Sequence, residues 1–360
     1  MATTADRVRD LIMASGVSQH AFALDIGLDD SKLSKSLSGA RRFSSFDLAR
    51  IAQRCAVTVD WLITGEEPAL AVAARTTGGS AGAALAEARR LATMRADLAE
   101  LGYPQNWRLP ASDPGSGSWA AQGGRLAEAA LAHLGSDAAD LIAAVETGFG
   151  IDVAVTALGA RFDGLATSSD AVKLIVLATT TVPARQRFTL AHELGHLIAG
   201  DDQGVHVDED VFDRAQMRNP SEIRANAFAA AFLMPTARLH AAVGDRGIDE
   251  TRFATLACDL MVSPSTLAIR LKGLRLIDGG TCERWRPMTA RRAATVAGRG
   301  AEFAEQVAAA NRARPPGLLT RDAYAAYDAG DATLRPYAAL LGVDVDELRP
   351  TLEPEATDAS

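Results

Sequence analysis

Phe188-Thr-Leu-Ala-His-Glu-Leu-Gly-His-Leu-Ile-Ala-Gly200 contains an H-E-x-x-H sequence, His192 to His196. On a helix, residues four apart lie on one face. His192 and His196 can therefore aim two imidazole nitrogens at one metal ion, and Glu193 can reach a water activated there. Two histidine ligands and a carboxylate base are parts of a zinc-dependent peptidase. The same five residues also arise by chance on ordinary helices, so the reading depends on what the rest of the chain supplies. The helix is expected to start near Pro183, a residue favoured in a first turn, and to end at Gly200. Phe188, Ala191, Gly195 and Ile198 are spaced to pack inward, and Gly195 allows a neighbouring element to come close.

A catalytic zinc takes a third protein ligand. The metzincin continuation H-E-x-x-H-x-x-G-x-x-H fails, because position 199 is Ala, Gly200 is one residue late and position 202 is Asp. Asp202 remains an oxygen donor. His206 is another, although the acidic stretch around it, Asp201 to Asp213, reads as a surface loop. Glu222 is the better candidate. Asn219 and Pro220 supply a cap and a first-turn proline for a new helix that runs until Pro235. Glu222, Ala225, Asn226 and Ala229 share one face of it, and the small alanines let it lie close to the first helix. An H-E-x-x-H helix joined by a Glu from a second helix is the gluzincin plan. His240, just past the Pro235 break, is the candidate for a second oxyanion stabiliser.

Around this core, Arg125–Leu134 and Ala138–Thr147 read as helices. Ile151–Leu158, Gly164–Ser168 and Val172–Ala178 read as strands of a small sheet. An edge of such a sheet can take up an extended peptide by strand addition. Residues 69–124 read as linker with one helix, Ala83–Leu101, between the Ala/Thr/Gly-rich joint Ala69–Ala84 and the breaker-rich loop Pro110–Ser118. The region 281–360 starts with a basic stretch, Arg284 to Arg299, that reads as a solvated surface. Helices follow at Ala301–Arg312, Arg321–Tyr327 and Thr333–Leu341.

The first 68 residues read as short helices broken by glycines. They are Arg7–Ala14, Gln19–Ile26 capped by Ser18, Ser31–Leu37 capped by Asp29 or Asp30, Phe46–Cys55 and Val59–Ile63. Short helices with a Gly at the tight turn fit a helix-turn-helix. The spacing of Val17-Ser-Gln-His-Ala-Phe-Ala, Leu28 to Gly39 and Val59 to Gly65 resembles the Xre-type repressors, five-helix DNA-binding domains. The resemblance implies that the third helix enters the major groove of operator DNA. Ser31, Lys32 and Lys35 would then face bases or phosphates. Gln19 would touch a backbone phosphate, and Arg41 and Arg42 a phosphate strand.

The 360 residues suffice for two or three domains, and 48% hydrophobic content suffices for a sizeable core. Few aromatics and much alanine point to helices. The expected fold class is mainly α with a small β-sheet (α+β). Net charge is −8, which excludes a general polyanion binder. Residues 1–65 hold eight Lys/Arg against seven Asp/Glu. Affinity for DNA is therefore expected to be modest, and a homodimer or a second contact would raise it. Cys55, Cys258 and Cys282 form no C-x-x-C pair, and neither a disulfide framework nor a cysteine metal site is expected. No signal sequence or membrane-length apolar run is visible, and the expected location is the cytoplasm.

Two blocks, Arg187-Phe-Thr-Leu-Ala-His-Glu-Leu-Gly-His196 and Glu222-x-x-x-Asn226-x-Phe228-Ala-Ala-x-x-Leu233-Met-Pro235, resemble the ImmA/IrrE metallopeptidases over roughly residues 140–275. The resemblance implies Zn2+ held by His192, His196 and Glu222, with Glu193 as acid/base. It also implies cytoplasmic cleavage of a repressor or another regulatory protein, in stress or mobile-element control. Residues 247–280 have a helix-turn-helix rhythm, but the resemblance implies that this segment closes the peptidase domain. The domain plan is thus 1–68 helix-turn-helix, 69–124 linker, 125–280 gluzincin-type zinc peptidase and 281–360 helical tail. The rival expectation is a transcription factor whose peptidase-like domain only senses a ligand or partner. A third is a toxin–antitoxin regulator that binds its partner through the tail.

Overall fold

The structure is a computed structural model that describes residues 3–55, 57, 59–65, 80–110, 115–134, 140–158, 162–201, 205–208, 219–244 and 247–352. The chain divides into two compact units, Met1–Leu85 and Ala86–Ser360.

The first unit contains five helices, α1 (Thr4–Ser15), α2 (Gln19–Asp25), α3 (Asp30–Leu37), α4 (Ser45–Cys55) and α5 (Val59–Thr64). Each forms within a few residues of its expected limits, although α1 starts at Thr4, three residues ahead of the expected Arg7. Thr3 and Asp6 make a reciprocal capping box on α1, Ser18 caps α2, and the Asp29 carboxylate accepts from the Ser31 and Lys32 amides. Val8, Phe22, Leu33, Ile51 and Leu62 meet in one core. Two arginines tie its ends. Arg7 donates to the Leu62 and Ile63 carbonyls, and Arg50 to those of Ile26 and Gly27. Cations thus satisfy carbonyls left over at helix C-termini.

The second unit is built on a four-stranded sheet. Its strands are β1 (Asp152–Thr156), β2 (Gly164–Ser168), β3 (Lys173–Ala178) and β4 (Val205–Asp208), in the order β1-β3-β2-β4. β1 and β3 run parallel, with Ala154 opposite Val176, and the other pairs are antiparallel. β4 corrects the sequence reading, which took Asp201 to Asp213 as a loop. Four residues of alternating valine carry too short a period-2 signal to stand out from an acidic stretch. Ahead of the sheet come α6 (Ser80–Glu100), α7 (Trp119–Leu134) and α8 (Leu141–Phe149). Then follow α9 (Pro183–Ala199), α10 (Pro220–Leu233), α11 (Thr236–Val243), α12 (Glu250–Leu260) and α13 (Pro264–Gly273). α9 packs on β2 and β3, and α10 lies between α9 and α7. α12 and α13 belong to the same core through Phe253, Leu260 and Leu267. No helix among the described residues is long and apolar enough to cross a membrane.

The tail forms α14 (Gly279–Trp285), α15 (Ala290–Val296), α16 (Gly300–Ala310), α17 (Gly317–Asp328), α18 (Arg335–Leu341) and α19 (Val345–Leu352). Part of its basic start is paired rather than merely solvated, with Arg292 on Glu250 and Arg299 on Asp259 and Glu302. The tail also covers an edge of the sheet. Arg314 and Val155 exchange two backbone hydrogen bonds of 2.8 Å, so β1 does not offer a free edge to a peptide there.

The segment read as linker is partly built into this unit. Of the expected joint Ala69–Ala84, positions 69–79 lie outside the described residues. α7 begins at Trp119 rather than at Arg125. The Gln105 amide donates to Asp152 and to the Lys173 carbonyl, and accepts from the Lys173 amide. Arg95 of α6 is buried. It makes two 2.7 Å hydrogen bonds to Asp152 on β1 and one of 2.6 Å to Asp322 on α17. Burial works against the Arg95 charge, but the two carboxylates more than offset it and its pKa stands above the ordinary value. One guanidinium thus joins the helix before the sheet, the sheet and the tail.

Glu146 makes a second junction. Its carboxylate accepts from the Val153 and Gly317 amides and faces Arg314. Burial pushes its pKa from 4.5 up to about 7, and the Gly317 amide and Arg314 offset only part of this. The folded chain therefore holds this proton more tightly than the unfolded chain does. The stability it contributes is complete below pH 4.5 and is lost as pH rises through 7. Relative to wild type, Glu146→Gln should gain stability by up to roughly 3 kcal/mol between those limits. Urea midpoints of both proteins at a series of pH values would read this as curves that converge at low pH.

Candidate metal centre

Pro183 opens α9 at its first turn, and Gly200, with φ +64, closes it in the left-handed conformation. Asn219 caps α10 by accepting from the Ser221 amide, and Pro220 occupies its first turn. Glu222 therefore sits in the first turn of α10, where the helix dipole favours a carboxylate. The two helices can approach because Gly195 has no side chain. A Cβ there would stand 3.0 Å from the Phe228 ring. On the far side of α10, a Cβ at Gly123 of α7 would come within 2.2 Å of the Arg224 carbonyl. Phe228 itself is fully buried in the shared core.

This packing brings His192, His196 and Glu222 together in the interior. One ligand atom from each lies within 4.8 Å of the other two. His192 Nε2 and His196 Nε2 are 3.1 Å apart. Glu222 Oε2 is 3.3 Å from His192 Nε2, and its Oε1 is 3.4 Å from His196 Nε2. Ligand atoms bonded at ~2.0–2.2 Å around a four-coordinate ion stand about 3.3 Å apart. Two nitrogens and one carboxylate, buried and at that separation, fit a divalent cation and leave a fourth position for water or substrate.

Glu193, also fully buried, projects towards the start of β2. A Cβ on Gly164 would lie 3.2 Å from Glu193 Oε1 and 2.5 Å from Thr189 Cγ2. The sequence places Gly164 at the start of a strand, where a glycine is unfavourable. Its φ is not in the left-handed region, and clearance for the α9 side chains is what requires the missing Cβ.

Other expected residues are placed differently. His240 is exposed on α11, outside the cluster. Asp202 lies outside the described residues. His206 is in β4, opposite Ala166. Ser31, Lys32, Lys35 and Arg42 of the first unit are exposed, whereas Arg41 is half-buried and bonded to Ser36 and Asp47. Gln19 donates to Asp30 at 3.1 Å. Two residues beside the cluster were not singled out from the sequence. The Asp201 carboxylate is 3.3 Å from His196 Nδ1, and Arg224 pairs with Asp201. A carboxylate just past a ligand helix carries no periodic signal. The nearest hint was the acidic run itself.

Residues 147–272 match the family model of the IrrE N-terminal-like domain. The chain is also similar to the radiation response metalloprotease IrrE of Deinococcus radiodurans, at 40% identity over 112 residues. These are 31% of this chain and 32% of that protein. The chain thus spans about a third of the length of the curated relative it matches. The matched range contains both ligand helices, α9 and α10, and the whole sheet. The buried cluster of His192, His196 and Glu222 lies inside the range that matches the IrrE N-terminal-like model. α7, which packs on α10, lies ahead of the match.

Gly164→Val should destabilise the second unit by about 1–3 kcal/mol, the usual cost of overpacking. It would be measured as a drop in denaturant midpoint. Because Val tolerates the strand backbone well, a loss of that size reports the clearance over Thr189 and Glu193.

Proposed function

We propose that this chain is a DNA-binding transcriptional regulator carrying a zinc-dependent endopeptidase that cuts a repressor or another regulatory protein. The observation that carries the enzymatic part is the buried grouping of His192, His196 and Glu222 with Glu193 next to the first histidine. On this reading, Zn2+ is held by His192, His196 and Glu222. Bound there, it polarises the scissile carbonyl and lowers the pKa of water. Glu193 takes a proton from the attacking water and returns it to the departing amine. The name of the matched relative ties a metalloprotease to a radiation response. A similar role here, in the cytoplasm and under stress control, is part of the proposal.

The DNA-binding part is supported by the five-helix unit and by the exposed face of α3 that carries Ser31, Lys32 and Lys35, with Arg42 beyond its end. Gln19 and Arg41 have intramolecular partners. Their contribution to a DNA contact requires those bonds to be shared or exchanged. Dimerisation on a two-fold operator would supply the affinity that one nearly neutral module lacks.

Two measurements test the reading. Co-expression with proteins encoded beside this one should yield a cleaved neighbour with wild type and none with Glu193→Gln, while zinc content and DNA retention stay unchanged. Zinc uptake with no fragment under any inducing condition would favour the rival, a sensor that cuts nothing. Lys32→Ala and Lys35→Ala should each weaken binding to the chain's own promoter region, and lower the slope of log affinity against log salt by about 1 if the lysine meets a phosphate. An unchanged slope in both variants would remove α3 as the contacting helix.

A further inference from the structure

His196 is held from behind. Its Nε2 faces His192 and Glu222, and its Nδ1 lies 3.3 Å from Asp201 Oδ2. Asp201 Oδ1 pairs with the Arg224 guanidinium. Arg224 in turn donates to Gln122 Oε1 at 3.2 Å and stacks over the Trp119 ring, 5.5 Å from its centroid. The Asp201 side chain is 5% exposed and that of Arg224 13%, and Gln122 is buried. The carboxylate therefore spends one oxygen on the imidazole and the other on the guanidinium, away from competing water.

From this geometry we infer that Asp201, Arg224, Gln122 and Trp119 form a positioning chain for His196, one that rests on the metal reading proposed above. Asp201 fixes the plane of the ring and keeps the imidazole proton on Nδ1, so that the Nε2 lone pair is directed at the metal. Arg224 fixes Asp201. Gln122 and Trp119 fix Arg224 from α7, a helix outside the matched residues 147–272. Gly123 is what lets α7 come near enough, since any Cβ there would strike the Arg224 carbonyl. Arg224 also lies two residues from Glu222 on α10. That helix thus supplies one ligand directly and steadies another through Asp201, and a shift of α10 would disturb both together.

Zinc affinity of the full chain, measured by competition with a chromogenic chelator alongside the thermal midpoint of the metal-free protein, tests the chain. Asp201→Ala and the near-isosteric Asp201→Asn should each weaken zinc binding about 10–100-fold. Arg224→Met should weaken it by a smaller factor, and Arg224→Lys should restore part of that loss. The Asp201→Ala/Arg224→Met double variant should bind no more weakly than Asp201→Ala alone, because the residues act in series. The metal-free midpoint of Asp201→Asn should stay near wild type, which separates positioning from support of the fold. Unchanged zinc affinity in Asp201→Asn, or additive losses in the double variant, would overturn the chain and leave the metal reading standing. A wild-type protein that takes up no zinc would overturn both.

Discussion

The close approach of α9 and α10 is the constraint on which the centre depends. Helices bearing ordinary side chains pack 8–10 Å apart, and a first-turn glutamate on one cannot meet two histidines on the other unless the contact is near the short end of that range. Gly195 facing Phe228 supplies that clearance, and Gly123 facing the Arg224 carbonyl lets α7 close against the far side of α10. Phe228 is wedged between these contacts and is wholly buried. The apolar core is therefore not a background to the polar cluster. It sets the distance at which two imidazoles and a carboxylate share one point.

Such a cluster is costly. A buried carboxylate or imidazole that is not compensated loses several kcal/mol of solvation. The second unit accepts this cost at separate places and compensates it in different ways. Around Arg95, two carboxylates surround one cation, and the result is a cross-link between α6, β1 and α17. At Glu146 the compensation is incomplete, and the group responds by holding its proton up to about pH 7. At His192, His196 and Glu222 the donor set is that of a divalent cation. The first two arrangements tie the tail and the helix before the sheet to the sheet. The compact unit is therefore larger than the range matched by the family model.

How far the sequence could be read follows from the range of each signal. The four-residue spacing of His192 and His196, the Pro183 start, the Gly200 stop and the Asn219-Pro220 cap all act within one helix, and all were legible. So were α2 and α3 of the first unit, whose caps Ser18 and Asp29 lie one residue ahead of them. Asp201 and Arg224 were not legible as a pair, because nothing local links a residue after one helix to a residue inside the next. Gln122 and Arg95 sat in a stretch whose breakers suggest a linker. Their partners, Arg224 and Asp152, lie 102 and 57 positions away. β4 was missed because two valines among acids weigh less than the charge around them. Gly164 was legible as the first residue of a strand, but the sequence does not show the side chain it must clear.

Glu193 bears most directly on whether the domain cuts or only senses. A metal site that merely stabilises a fold, or reports a ligand, needs its donor atoms and the groups that orient them, but no further carboxylate beside them. A further carboxylate in the same interior adds its own desolvation cost and asks for room, which here includes a glycine at the start of β2 in place of the β-branched residue a strand would otherwise favour. Strand propensity and core packing are thus both weakened at Gly164 to make room for Thr189 and Glu193, which lie outside the His192, His196 and Glu222 cluster. A sensor would be more stable with an apolar residue at 193 and a larger one at 164. The acid/base role proposed for Glu193 would account for both choices.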